Sequence, residues 1–294
     1  MITYRRENNM NNNFFKVLLL GFFLCFLSPV IFAQSFSNFY FLGDSLSDVG
    51  NNPERGHKPY SDGSNWVQLL MEDFGQKNIT YSDNGGTDYA YGGAQTDASS
   101  PGKAETNRGV QNQVTALLAV HPQLDSNALY FLWAGANDVF NGILQQGKTM
   151  TDIANQGASN IRQALINLHN AGARYIVLGG LPNLSKTPLG SGLPNEMQQK
   201  IAGAAALFDE EVFSAIDEIG FPVIVVDYYS LFNKINNDPQ KYGFTHSYKE
   251  QCIAKNNDSC KGYIFWDNLH PTEAAYQIIA DYNYKIITGA NGTE

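Results

Sequence analysis

The sequence predicts an α/β fold, a three-layer αβα sandwich in which a mostly parallel sheet carries helices on both faces. Three observations lead there. Four runs are apolar throughout rather than alternating, as strands covered on both faces are. Helical patterns separate those runs, and each run is bounded by Gly, Asn or Asp. Such alternation implies right-handed crossovers between parallel neighbours.

In chain order, residues 38–42 (Asn-Phe-Tyr-Phe-Leu) give the first strand, closed by Gly43, and a helical pattern covers 66–74. A short fifth strand is read near Tyr89, and helix 109–120 leads into the strand 128–134. Helix 151–169, strand 174–178, helix 195–219 and strand 222–226 follow, with a last helix from 272 to about 287. Polar loops fill 51–65, 96–107 and 234–263 without the composition of a domain linker, and no internal repeat is present. At 294 residues the chain is near the upper size for one hydrophobic core, so a single domain over 34–294 is expected. A 43% hydrophobic and 16% charged composition excludes global disorder.

Residues 1–33 read as a cleavable secretory signal, with Lys16 before the apolar run 17–27, then Pro29 and the small Ala33. That run is too short to span a bilayer, and no later segment is apolar enough, so no transmembrane segment is expected after cleavage. The mature protein is expected outside the cytoplasm, extracellular or periplasmic. Removing Arg5, Arg6, Lys16 and Glu7 takes the formal charge from −9 to −11. With no basic run, nucleic acid is excluded as a partner, because phosphate backbones require clustered Lys and Arg. Cys25 leaves with the signal, while Cys252 and Cys260, eight positions apart in an exported chain, are expected to pair. No metal ligand set accompanies them, and His57, His121, His169 and His246 are scattered. No cofactor is expected.

Ligands of doubly wound sheets bind outside the carboxyl ends of strands, so the residues after each strand carry the chemistry. Gly43-Asp44-Ser45-Leu46 places a hydroxyl after the first strand, where a helix can begin; an ordinary N-cap accounts for it equally. Gly135-Ala136-Asn137-Asp138 follows the second long strand, and its Asn amide can donate to an oxyanion or close an Asx-turn. Tyr91-Gly92-Gly93-Ala94 is a tight turn or a place where backbone N–H approaches a substrate. Trp266-Asp267-Asn268-Leu269-His270 sets a carboxylate one turn from an imidazole; Asp267 can hold Nδ1 and leave Nε2 to accept a proton from Ser45, or merely cap a helix entry.

Taken together, Gly43-Asp44-Ser45-Leu46, Gly93, Gly135-x-Asn137-Asp138 and Asp267-x-x-His270 resemble the four blocks of the GDSL, or SGNH, hydrolases, over residues 39 to about 284. The resemblance implies a flavodoxin-like sheet of about five parallel strands. It also implies a Ser45, His270, Asp267 triad and an oxyanion hole of Ser45 N–H, Gly93 N–H and the Asn137 side chain, with Gly92 leaving the glycine uncertain by one residue. Residues 39–48, 90–94 and 265–272 look closest to secreted bacterial lysophospholipases A and glycerophospholipid–cholesterol acyltransferases. The expected substrate is therefore a lysophospholipid or phospholipid ester met at a transient membrane or micelle surface, with acyl transfer as a second capacity. Carbohydrate acetyl esterases on the same fold are the alternative.

A lipid enzyme needs an apolar groove. Trp66, Phe140, Tyr228, Phe232 and Trp266 are its candidates, with core packing the alternative for each and Trp266 favoured because it adjoins Asp267. Two rivals fit less. Gly142 to Thr149 matches the phosphate-binding loop Gly-x₄-Gly-Lys-Thr, but its interior is bulky and the preceding strand ends too early. A non-catalytic glycan- or partner-binding module leaves the four ordered blocks unexplained.

Overall fold

The computed structural model describes residues 35–76, 79–103, 105–144, 147–253 and 259–289. The expected signal segment lies outside them. Residues Gln34–Glu294 cluster as one compact unit.

Four strands, β1 (Phe39–Gly43), β2 (Leu129–Trp133), β3 (Tyr175–Gly179) and β4 (Ile224–Val226), form one sheet in the order β1-β2-β3-β4. Every neighbour is parallel, with Phe39 opposite Leu129 and Leu129 opposite Tyr175. The expected fifth strand exists as an edge ladder. Phe41 N–H donates to Thr87 O at 3.1 Å, Tyr89 N–H to Phe41 O at 2.7 Å and Tyr91 N–H to Gly43 O at 3.1 Å. This segment pairs with β1 on the side away from β2, which makes the carboxyl end of β1 the topological switch point.

Alternate strand residues face opposite layers. Tyr40, Leu42, Tyr130, Leu132, Ile176 and Leu178 pack under α2 (Val110–Val120), α3 (Ala136–Leu144), α4 (Met150–Asn170) and α6 (Asn195–Asp217). Phe39, Phe41, Phe131, Trp133, Val177 and Val226 pack under α1 (Trp66–Asp73), α7 (Tyr228–Asn237) and α8 (Glu273–Thr288). Both faces being covered explains why the strand sequences read as unbroken apolar runs. No helix among the described residues is long and apolar enough to cross a membrane.

Three local expectations are corrected. The chain after Gly43 makes a single turn rather than a helix, with Ser47 and Asp48 N–H both donating to Asp44 O; a 3-10 turn at Pro53–Arg55 follows, and the first α-helix starts only at Trp66, after the Asn65 cap. Gly135 to Asp138 is not an isolated turn, because α3 begins at Ala136. Helix α7 occupies residues given no element, 228–233, and the start of the expected loop, 234–237, since its Asp227 cap and the spacing of Tyr228, Leu231, Phe232 and Ile235 bury one face. The phosphate-loop match runs from inside α3 to Thr149, the N-cap of α4, so no strand leads into it.

Candidate active site

The turn after β1 is fixed from below by carboxylates. Asp44 Oδ1 accepts the Leu46 N–H at 3.0 Å, and Asp48 accepts N–H groups from Gly50, Asn51 and Gly92. Asp88 accepts from Val49 and Ala90. A side chain at Gly43 would put its Cβ 2.2 Å from Trp133 O, so only glycine lets β1 turn beside β2 here. The result presents Ser45, partly exposed, above the end of the sheet.

His270 reaches that hydroxyl from a loop 225 positions later: its Nε2 lies 2.7 Å from Ser45 Oγ. On the other ring nitrogen, Nδ1 is 2.8 Å from Asp267 Oδ2 and 3.0 Å from Oδ1. Asp267 Oδ1 also accepts the N–H groups of Leu269 (2.8 Å) and His270 (2.7 Å). The capping and orienting readings of Asp267 therefore describe one carboxylate doing both. With the Nδ1 proton held by Asp267, Nε2 is the acceptor for the Ser45 proton. Burial pushes the Asp267 carboxyl up, but the hydrogen bond and charge of His270 and the two N–H groups outweigh it and hold it below the ordinary range.

The structure distinguishes the two glycines. Gly92 N–H is committed to Asp48 Oδ2 at 2.9 Å, whereas among the described residues the N–H groups of Gly93 and Ser45 donate to no protein atom. Gly93 has φ +83°, which an L side chain rarely adopts. Asn137, in the first turn of α3, donates from Nδ2 to Ala94 O at 3.0 Å, which orients its amide beside the Gly93 turn.

A pocket opens beside Ser45 and His270. Its walls are Leu46, Trp133, Phe140, Phe232, Phe265 and Leu269, with Asn137 at the same opening. Phe140 and Phe232 are thus at the groove as expected. Trp66 and Tyr228 are not: both are wholly buried in the layer beneath the sheet, Trp66 against Phe131 and Tyr228 stacked on Trp133. Nor does Trp266 line the pocket; its ring carries the Arg55 guanidinium, 4.8 Å from the ring centre, while the neighbouring Phe265 turns inward. Sequence reasoning missed Trp133, Phe265 and Leu269. Trp133 was visible as the last residue of a strand, the position next to the chemistry in such sheets.

Also missed was Tyr60, whose ring lies 4.7 Å from the His270 ring and whose hydroxyl accepts from Asn52 Nδ2. The carboxyls under the site went unread as well. Burial raises Asp44 and Asp138 to about 7 and Asp48 to about 6 against their N–H partners, with Asp48 adding like charge at Asp44. Among the described residues no cluster of His, Cys, Asp or Glu could hold a metal ion. Cys252 and Cys260 form the expected disulfide.

A hydroxyl, imidazole and carboxylate in series at the end of a parallel sheet define a class: the serine ester hydrolases of α/β architecture. Within it, the model of the GDSL-like lipase/acylhydrolase family matches residues 39–283, and the chain belongs to that family. It is 24% identical to Lipase 1 of Photorhabdus luminescens, over 89% of this chain but 52% of that protein. The chain thus spans about half the length of that relative. A GDSL esterase/lipase of Arabidopsis thaliana is 27% identical, over 91% of this chain and 95% of its own length. In fold it is similar to an acetylxylan esterase from Geobacillus stearothermophilus, with TM-score 0.52 and 15% identity, covering 89% of this chain and 97% of the other.

Proposed function

We propose that this chain is an exported lipid esterase, a lysophospholipase A or phospholipase A, that works through an acyl-enzyme on Ser45. The observation that carries the substrate class is the pocket: the hydroxyl opens onto aromatic and aliphatic walls, where an acyl chain is removed from water. Ser45 Oγ attacks the ester carbonyl as its proton passes to His270 Nε2, and Asp267 stabilises the imidazolium. Charge gathers on the carbonyl oxygen, where the N–H groups of Ser45 and Gly93 and the Asn137 amide receive it. His270 then protonates the departing alkoxide. Water, activated by the same imidazole, releases the fatty acid; an alcohol in its place gives acyl transfer.

The name of Lipase 1 and the apolar run 17–27 ahead of Ala33 support lipid substrates and export. The test offers protein lacking residues 1–33 a lysophosphatidylcholine, a diacyl phospholipid and an acetylated xylo-oligosaccharide side by side, with Ser45→Ala as control. Long-chain ester cleavage that the control lacks is the expected result. Cleavage of the acetylated sugar alone would replace lipid with carbohydrate as the substrate class. A fluorophosphonate should label Ser45 in the wild type and nothing in the variant.

A further inference from the structure

The molecule is acidic, yet two cations with no carboxylate partner among the described residues stand against Tyr60, the ring that packs on the imidazole. Arg55 Cζ lies 5.2 Å from the Tyr60 ring centre and 4.8 Å from that of Trp266. Lys103 Nζ lies 6.0 Å from the Tyr60 ring, and its aliphatic stem covers Gly93, where a Cβ would meet Lys103 Cε at 2.6 Å. Tyr60 itself packs on His270. Neither cation makes an ion pair among the described residues, whereas Arg108 pairs with Asp83 and Glu105, and Lys200 with Glu196. The Arg55 Nε is buried without a hydrogen-bond partner, and Nη2 has only a 3.4 Å contact to Pro59 O. A half-buried guanidinium that lies over two aromatic rings and has no carboxylate partner among the described residues retains donors for a ligand. An unpaired buried donor is costly, which points to a group that completes it.

None of Arg55, Tyr60, Lys103 and Trp266 lines the apolar pocket. The site therefore has an apolar side for the acyl group and a cationic side next to the imidazole that protonates the leaving alcohol. We infer that Arg55 and Lys103 bind the phosphodiester of the leaving group, so that the preferred substrate is a glycerophospholipid whose phosphate is a short glycerol spacer away from the scissile ester. The inference rests on the lipid-esterase reading. Arg can grip two phosphate oxygens at once, while Lys supplies a point charge. Lys186, a cation in the wall of the other pocket, donates to the neutral Asn233 Oδ1 at 3.3 Å and keeps its charge, so it stays unchanged in every variant below. A quaternary ammonium is not the group recognised, because Arg55 already occupies the aromatic faces it would need.

The experiment measures kcat/KM for a lysophosphatidylglycerol and for the monoacylglycerol of the same acyl chain, in wild type, Arg55→Gln, Lys103→Gln, the double variant and Arg55→Lys. Each lost charge should lower the ratio of lysophospholipid to monoacylglycerol efficiency by roughly five- to tenfold, mainly through KM, with Arg55→Lys recovering part of the loss. Because the monoacylglycerol reports general damage in the same protein, misfolding lowers both efficiencies and cannot mimic a changed ratio. If the variants cleave both esters with the wild-type ratio, the phosphate site is overturned and the lipid reading survives. If wild type cleaves neither ester while Ser45 still reacts with a fluorophosphonate, the lipid reading falls and takes this inference with it.

Discussion

The two halves of the site are built in different ways. Ser45 stands on a turn locked to the sheet, where the carboxyls of Asp44, Asp48 and Asp88 serve as acceptors for backbone N–H groups without a cation nearby. His270 stands on a loop closed on itself by Trp266 N–H to His270 O and Thr272 N–H to Ile264 O, and joined to other segments by Cys252 N–H to Phe265 O, Ile253 N–H to Trp266 O and Leu189 N–H to Asn268 O. The carboxyls respond accordingly. Burial lifts Asp44 to about 7 and Asp88 well above its ordinary value, whereas Asp267 is held low against the same force. A buried carboxyl rises unless a cation faces it. The Ser45 side thus uses its carboxyls as brackets alone, and the His270 side uses one as bracket and charge together.

The sharpest way to break this distinction is to neutralise one carboxyl from each half. Asp267→Asn should lower kcat on the order of 10⁴-fold, since the amide donates where Nδ1 must donate and selects the wrong tautomer. Asp44→Asn should cost far less, because an amide oxygen still accepts from Leu46 and Asn137, which loses a 3.4 Å contact to Asp44 Oδ2, keeps its shorter bond to Ala94 O. Steady-state kinetics on one soluble ester compares them, and equal losses would erase the contrast. Next in size is Asn137→Ala, which should lose roughly 10²–10³ in kcat with KM little changed, as one missing oxyanion donor does. Undiminished turnover would remove Asn137 from the hole.

What could be read beforehand follows the same division. The strands were legible because both faces are buried, leaving uninterrupted apolar runs, and the candidates Ser45, Gly93, Asn137, Asp267 and His270 could be singled out because each sits at a strand end or in a compact motif. The pocket walls were not. Trp66, Tyr228 and Trp266 are as apolar in sequence as Phe140 and Phe232, and only the crossing of layers decides that Trp66 faces Phe131 while Phe232 faces Ser45's pocket. Tyr60, Arg55 and Lys103 reach the site from polar loops whose pattern carries no period. Helix α7 hid because its apolar spacing covers only ten residues after a short strand.

The opposed carboxyl shifts also predict opposed pH slopes. For Asp44 and Asp138 the folded value, about 7, exceeds the ordinary 3.8, so the folded state holds protons that the unfolded chain has released. Their contribution is complete below about 4 and is lost as pH rises through about 7. Asp267 has the reverse sign: its stabilisation is present above 3.8 and disappears as pH falls through its lower folded value. Unfolding by denaturant at fixed pH values should therefore show stability falling from about pH 5 to pH 8. Asp44→Asn should flatten that fall by up to about 1.4 kcal/mol per pH unit. A slope unchanged in the variant would mean that Asp44 is ionised throughout, like Asp267.

The smallest effect sharpens the contrast from the loop side. Cys252–Cys260 closes a short loop whose Cys252 and Ile253 N–H groups donate to Phe265 O and Trp266 O, immediately before the Asp267–His270 turn. Chain entropy alone gives such a closure about 2.5 kcal/mol. If the disulfide only restrains the unfolded chain, the double variant Cys252→Ser/Cys260→Ser should lose about that much stability and keep its kcat below the unfolding range. If it also holds the base half in register, the same variant should lose kcat under conditions where it remains folded, and fluorophosphonate labelling of Ser45 should slow in proportion. The sheet-borne half predicts no such loss for Ser45's own position, because among the described residues none of its brackets touches the disulfide loop. Reducing agent that moves neither the thermal midpoint nor the labelling rate would deny the loop any part in holding His270 over the hydroxyl.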